Sequence, residues 1–173
     1  MATYRRRTRV RAPLDEVWAF HSSTDGLEAL TPDWMGLTVS SVRGPDGIAD
    51  PDELVEGSEI SMRSKPFGVF PESRWISKIT DRREGEGYRM FRDSMLGGPF
   101  DLWIHTHEMY GDGHETVLID TVEYELPSPL GGRVDPAAIV GFEPMFRYRH
   151  RKTKEILEDD TSTAESKTRT PDA

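Results

Sequence analysis

One place in the sequence brings residues that do chemistry into a useful spacing: His105-x-His107, with Asp120 fifteen positions on from His105. Residues i and i+2 of a strand share a face. Two imidazoles and one carboxylate are the donors of a two-histidine, one-carboxylate metal site. A single imidazole beside a carboxylate is instead an acid/base pair, in which the carboxylate fixes the tautomer. His21, His114 and His150 sit on other elements, and a metal needs a full ligand set with supporting groups behind it. The sequence therefore predicts no metal and no cofactor. His105 and Asp120 remain as the candidate catalytic pair, alongside a structural reading in which each simply satisfies the other inside the fold. Nucleophilic catalysis has no support, since there is no Cys and no Ser in a nucleophile-elbow context.

These residues lie in the stretch Gly97 to Pro127, which reads as two long strands joined at Gly111-Asp112-Gly113. Asp-Gly between alternating apolar runs is a strong hairpin signal. A two-residue turn at Asp112-Gly113 sets His105 across from Asp120, Trp103 across from Val122 and His107 across from Leu118. Asp101, Trp103, His105, His107, Leu118, Asp120, Val122 and Tyr124 then share the inward face. Thr106, Glu108, Glu115, Thr121, Glu123 and Glu125 face water.

The elements that must position this hairpin follow in chain order. Tyr4 to Arg11 alternates Arg, Thr and Val and predicts an edge strand, where charge discourages unwanted pairing. Pro13 opens a helix with Asp15 and Glu16 in its first turn. Thr24 or Asp25 can cap a second short helix that Pro32 ends. Strands follow over 37–42, 55–63, 72–80 and 88–94, with a charged turn over 81–87. After a Pro/Gly-rich link, Asp135-Pro136 starts a long helix whose apolar stripe is Ile139, Phe142, Phe146, Thr153 and Leu157. Pro144 should kink or split it. Arg147, Arg149, His150, Arg151, Lys152 and Lys154 read as its solvated face. From 159 to 173 almost nothing is apolar, which predicts a disordered acidic and polar tail behind one domain over 1–158. A curved antiparallel sheet folded over the long helix buries both, an α+β arrangement.

In such a meander the turns alternate between two ends of the sheet. The turns over 43–57, 81–87 and 111–114 are almost wholly polar. Those over 64–71, 95–99 and 127–135 carry Phe67, Phe70, Leu96 and Leu130 among Gly and Pro. Apolar loops converging at one end mark the mouth of a cavity, a face for a partner or membrane, or plugs that cap the core.

Composition narrows the classes. The net charge of −9 argues against general nucleic-acid binding, which needs a basic footprint. No 18-residue apolar run is present, so no stable membrane insertion is expected, although transient membrane contact is compatible with the apolar loops. The basic N-terminus has no apolar stretch behind it and is not read as a signal peptide; a cytoplasmic location is the default. Abundant acids with basic residues that are mostly Arg suit a salt-adapted surface, or an ordinary acidic protein from an Arg-rich genome.

Phe91-x-Asp93, Gly98-Pro99-Phe100, Trp103-x-His105-x-His107, Gly113, Thr116, Asp120-x-Val122-x-Tyr124-x-x-Pro127 and Phe146-x-Tyr148-Arg149-His150 together resemble the SRPBCC superfamily, the START and birch-pollen-allergen-like proteins. Within it, the likeness is to proteins labelled polyketide cyclase/dehydrase or coenzyme Q-binding. It extends over 3–157 by element order and over 91–150 by motif. The resemblance implies a helix-grip fold: a seven-stranded sheet wrapped on the C-terminal helix around an apolar cavity, with two short helices after the first strand. It carries over no catalytic set, because the superfamily mixes carriers, hormone receptors, cyclases and oxygenase domains. The expected function is binding or carrying a hydrophobic small molecule such as a lipid, quinone or polyketide-like compound. Trp34, Met62, Phe67, Trp75, Phe91, Trp103, His105, Asp120, Tyr124, Phe142, Met145 and Phe146 are the expected ligand-binding residues. The alternatives are a cyclase/dehydratase that moves a proton with the His105–Asp120 pair, and an interaction module docking through the apolar loops.

Overall fold

The computed structural model describes residues 1–51, 53–111, 113–127 and 136–168, and within the last helix the side chains of 142–158. The order is β1 (Ala2–Val10), α1 (Leu14–His21), α2 (Thr24–Ala29), β2 (Leu37–Arg43), β3 (Glu59–Ser64), β4 (Ser73–Gly85), β5 (Tyr88–Gly97), β6 (Leu102–Gly111), β7 (Thr116–Glu125) and α3 (Pro136–Thr168). All seven strands form one antiparallel sheet in the order β1-β7-β6-β5-β4-β3-β2. The meander is thus closed at one side by β1, which returns to pair with β7. Register shifts between Val39 and Ser41 and between Ile79 and Asp81 bend the sheet, since an extra residue in one strand increases local curvature.

Several expected boundaries move, each for a local reason. β3 starts at Glu59 rather than 55, because Val55 to Ser58 form a turn closed by the Ser58 N–H on the Val55 carbonyl, with Gly57 at φ +90. The charged segment 81–87 is mostly strand: β4 and β5 pair through Gly85 and Tyr88, leaving Glu86-Gly87 as the turn. Strand geometry puts alternate charges on one face, where Arg83 bonds Asp81 and Arg82 bonds Glu84. The cap of α2 is Ser23, whose hydroxyl accepts the Gly26 N–H, rather than Thr24 or Asp25. Pro144 lies inside α3 without dividing it. The tail expected over 159–173 continues α3 as helix as far as Thr168, and 169–173 lie outside the described residues.

The hairpin register is corrected by two residues. Gly111 pairs with Thr116, so His107 faces Asp120, His105 faces Val122 and Trp103 faces Tyr124. The connection is therefore four residues long. The Thr116 side chain is fully buried and donates to the Ala12 carbonyl, while Glu115 stays outside to pair with Arg9. A shift of two preserves which face each side chain occupies, so the inward set from Trp103 to Tyr124 keeps its face; Asp101, expected with it, is exposed and lies just before β6.

Three apolar clusters hold the sheet to the helices. Val10, Val17, Trp18, Met109, Leu118 and Leu157 pack at the end nearest α1. Tyr4, Val122, Tyr124, Phe142 and Phe146 join β1, β7 and α3. Val42, Leu54, Ile60, Met62 and Ile79 line the far edge. On the rim of β1, Glu143 of α3 accepts from Tyr4 and Arg6, so the arginine-bearing edge strand also anchors the helix. Leu118 has no exposed surface, and truncating such a residue costs roughly 2–5 kcal/mol. Leu118→Ala is expected to lower the unfolding free energy by about that amount in a urea titration; a loss under about 1 kcal/mol would mean that the cluster collapses around the gap.

Candidate functional site

The inward faces of β6 and β7 meet α3 at Asp120, which is 1% exposed. Its Oδ1 accepts from His105 Nε2 at 3.0 Å and its Oδ2 from His150 Nε2 at 2.5 Å. His107 Nδ1 lies 2.7 Å from Oδ1, but off the line of a hydrogen bond, which leaves that nitrogen unpartnered. Burial alone would raise the Asp120 carboxyl; the imidazoles of His107, His105 and His150 outweigh it and hold the group well below the usual range. An ionised Asp120 requires the nitrogens that bond it to carry hydrogen. The Nδ1 of His105 faces Asp93 Oδ2 at 3.8 Å. Asp93 accepts from the Ser77 hydroxyl at 2.8 Å. Its carboxyl is raised by burial, against the opposing pull of His105 and Ser77. His21 Nε2 meets Thr153 Oγ1 at 3.1 Å, and burial pushes its pKa down to about 3.

Above this polar floor opens a cavity of about 760 Å³. Its walls come from α2, β3 to β6 and α3, and its rim from the apolar loops at 66–71 and 95–100 and from Leu126. Among the described residues of the opposite, polar end only Leu54 reaches it. At the rim Phe67 stacks on Trp34, with centroids 5.3 Å apart, and holds a positive φ of 53, unusual for an aromatic residue. Phe67, Val69, Phe70 and Leu96 remain exposed.

Of the expected ligand-binding residues, Trp34, Met62, Phe67, Trp75, Phe91, Trp103, His105, Phe142, Met145 and Phe146 line this cavity. Asp120 and Tyr124 do not. Asp120 stands behind its imidazoles, and Tyr124 is covered by Phe142, with ring centroids at 4.9 Å. The pair His105–Asp120 is in contact, though diagonally rather than directly across the ladder. Sequence reasoning missed His150 and Arg149, placed on a solvated helix face, and left His21 without a role. His150 was legible: it fills the gap in the stripe Phe142, Phe146, Thr153, Leu157 at helical spacing. Arg149 carried no such signal. It sits beside the stripe, lines the cavity, and has a buried Nε with no hydrogen-bond partner.

Asp93, His105 and His107 bring possible metal-ligand atoms within 4.8 Å of one another. The rings of His105 and His107 are tilted by 44° with centroids 3.8 Å apart, and Phe91 stacks on His107 at 4.1 Å.

No protein-family model matches the sequence, and no curated protein matches it. Solved structures do match. A START superfamily protein from Mycobacterium smegmatis is 13% identical, covering 91% of this chain and 97% of that one, with a TM-score of 0.61. Norcoclaurine synthase from Thalictrum flavum, solved with dopamine and hydroxybenzaldehyde, is 19% identical over 91% of this chain and 87% of its own, also at 0.61. The ginseng major latex-like protein from Panax ginseng is 11% identical over 90% and 97%, at 0.58. The fold is therefore the helix-grip fold that these structures share, as the resemblance over 91–150 implied. No helix among the described residues is long and apolar enough to cross a membrane.

The buried imidazoles give stability a definite pH dependence. His21 and His107 are held below the ordinary value of about 6.5 by burial, so the unfolded chain binds more protons through that window and stability falls as pH drops. Asp120 adds a loss below about pH 3.9, as its carboxylate is finally protonated. Asp93, with its raised carboxyl, works in the opposite sense. Urea melts are expected to weaken from about pH 6.5 downward, with His21→Gln reducing the slope. A flat profile to about pH 4.5 would contradict neutral buried imidazoles.

Proposed function

We propose that this protein binds or carries a hydrophobic small molecule, such as a lipid, a quinone or a polyketide-like aromatic, inside the cavity. The observation that carries this reading is the cavity itself, about 760 Å³ and lined mainly by apolar side chains, with a small polar floor at one end. That is the composition of a small-molecule site: apolar walls for affinity and a few placed polar groups for orientation. Trp34, Trp75, Trp103, Phe142 and Phe146 supply the walls. His105 supplies a polar contact, oriented from behind by Asp120.

A second reading is favoured by one specific observation. His105 lines the cavity with one nitrogen held by Asp120, so its other nitrogen is available to take a proton next to a carbonyl. Asp120 would stabilise the imidazolium that results. This is the cyclase/dehydratase reading, and the structural likeness to norcoclaurine synthase is consistent with an enzyme on this fold.

Native mass spectrometry on protein purified from its own host tests the first reading. A chain carrying a small hydrophobic molecule is the expected result, together with a tryptophan fluorescence change when that molecule is added back. A bare mass with no fluorescence response to apolar probes would refute it. For the second reading, His105→Gln should lower turnover of a bound carbonyl compound far more than its affinity; parallel losses would reduce His105 to a binding residue.

A further inference from the structure

Arg149 is the one cavity-lining cation whose charge has no anion beside it among the described residues. It lines the cavity together with His21, His105, His107 and Asp93. Its Nε is buried without a hydrogen-bond partner, and no described carboxylate lies within ion-pair distance. Other partly buried guanidiniums are paired: Arg6 with Glu143, Arg82 with Glu53 and Glu84, and Arg89 with Asp15. The acids nearest in effect, Asp120 and Asp93, act on Arg149 only through space. Their oxygens are also engaged elsewhere, Asp120 by His105 and His150, and Asp93 by Ser77.

A guanidinium is a planar fork of five donors that suits a carboxylate in a two-point contact. Left unpaired away from water, it is strongly unfavourable. The missing acceptor has a natural source in whatever fills the cavity. The charge balance also limits what that acceptor is: with Asp120 and Asp93 close by, one arginine can offset a monoanion but not a dianion such as a phosphate monoester. The opposite end of the cavity is wholly different, with Trp34, Phe67 and Phe70 at the rim.

We infer that the cavity takes an amphipathic monocarboxylate, its carboxylate seated on Arg149 and its apolar body running past Trp103 and Phe142 toward Phe67. The inference rests on the reading of the cavity as a ligand site and adds the chemistry and direction of the ligand. Entry is head-first, so the polar end is buried deepest.

Calorimetric titration of the full chain with dodecanoate, dodecanol and dodecylammonium tests it. Dodecanoate is expected to bind at least about tenfold more tightly than dodecanol, the gain ordinary for a hydrogen bond to a charged group, and dodecylammonium more weakly than either. Arg149→Met should bring the ratio of dodecanoate to dodecanol affinity close to one, and Arg149→Lys should retain part of it. A ratio near one in the unsubstituted chain overturns the inference without needing any variant. So does a preference that survives in Arg149→Met. If dodecanol binds as well as dodecanoate, the ligand cavity stands and only the head-group assignment fails. If no probe binds, the cavity reading falls and takes this inference with it.

Discussion

A single carboxylate, that of Asp120, holds the sheet to the helix at the middle of the molecule. On β7 it lies between Leu118, which packs toward α1, and Val122, which packs toward Phe142 and Phe146. It accepts from His105 on β6 and from His150 on α3. A buried charge is tolerated only when its lone pairs are occupied, so the presence of Asp120 dictates imidazoles on both neighbouring elements. That requirement fixes the rotation of α3 about its axis. With His150 turned to the sheet, Phe142, Phe146 and Arg149 are turned to the cavity and its surroundings. The cavity floor is in this sense a by-product of satisfying one carboxylate.

The same constraint separates wall from support. Where α3 and the hairpin meet directly, the space is filled by Tyr4, Tyr124 and Phe142 in edge-on contacts. Toward β3, β4 and β5 the sheet curves away from the helix, and the short helix α2, the 30–35 segment and the 66–71 loop cover the gap. The cavity occupies that difference in curvature. Its rim is built from loops because both ends of the covering elements terminate there.

Much of this was legible in the residues. The alternation in Gly97–Pro127 gave the inward set, the turn compositions separated the two ends of the sheet, and the 91–150 motif pointed to the fold. What escaped reading has physical reasons. A two-residue change of register leaves every side chain on its face, so no pattern of polar and apolar positions can detect it; only the burial of Thr116 against Ala12 decides. The charge-rich 81–85 segment passed for a turn because ion pairs between alternate residues let a strand carry charge on both faces. His150 and Arg149 were hidden among Arg and Lys, whose abundance suggested solvent. Histidine at a stripe position was the signal; arginine one step off the stripe has no sequence signature at all, since its direction is set by how His150 anchors the helix.

The His105-x-His107 repeat has a consequence of its own. Because the two imidazoles are spaced by one strand period, Asp120 confronts a histidine whichever of the two frames the hairpin adopts: His105 in one, His107 in the other. The contact is therefore degenerate between these two frames. A two-residue slip toward the shorter connection would exchange the parts of the two histidines without leaving the carboxylate stranded, whereas a slip the other way would set Met109 against it. The repeat thus acts as a tolerance built into the strand, letting the most variable part of a hairpin, its loop, shorten while the least forgiving buried group keeps a partner.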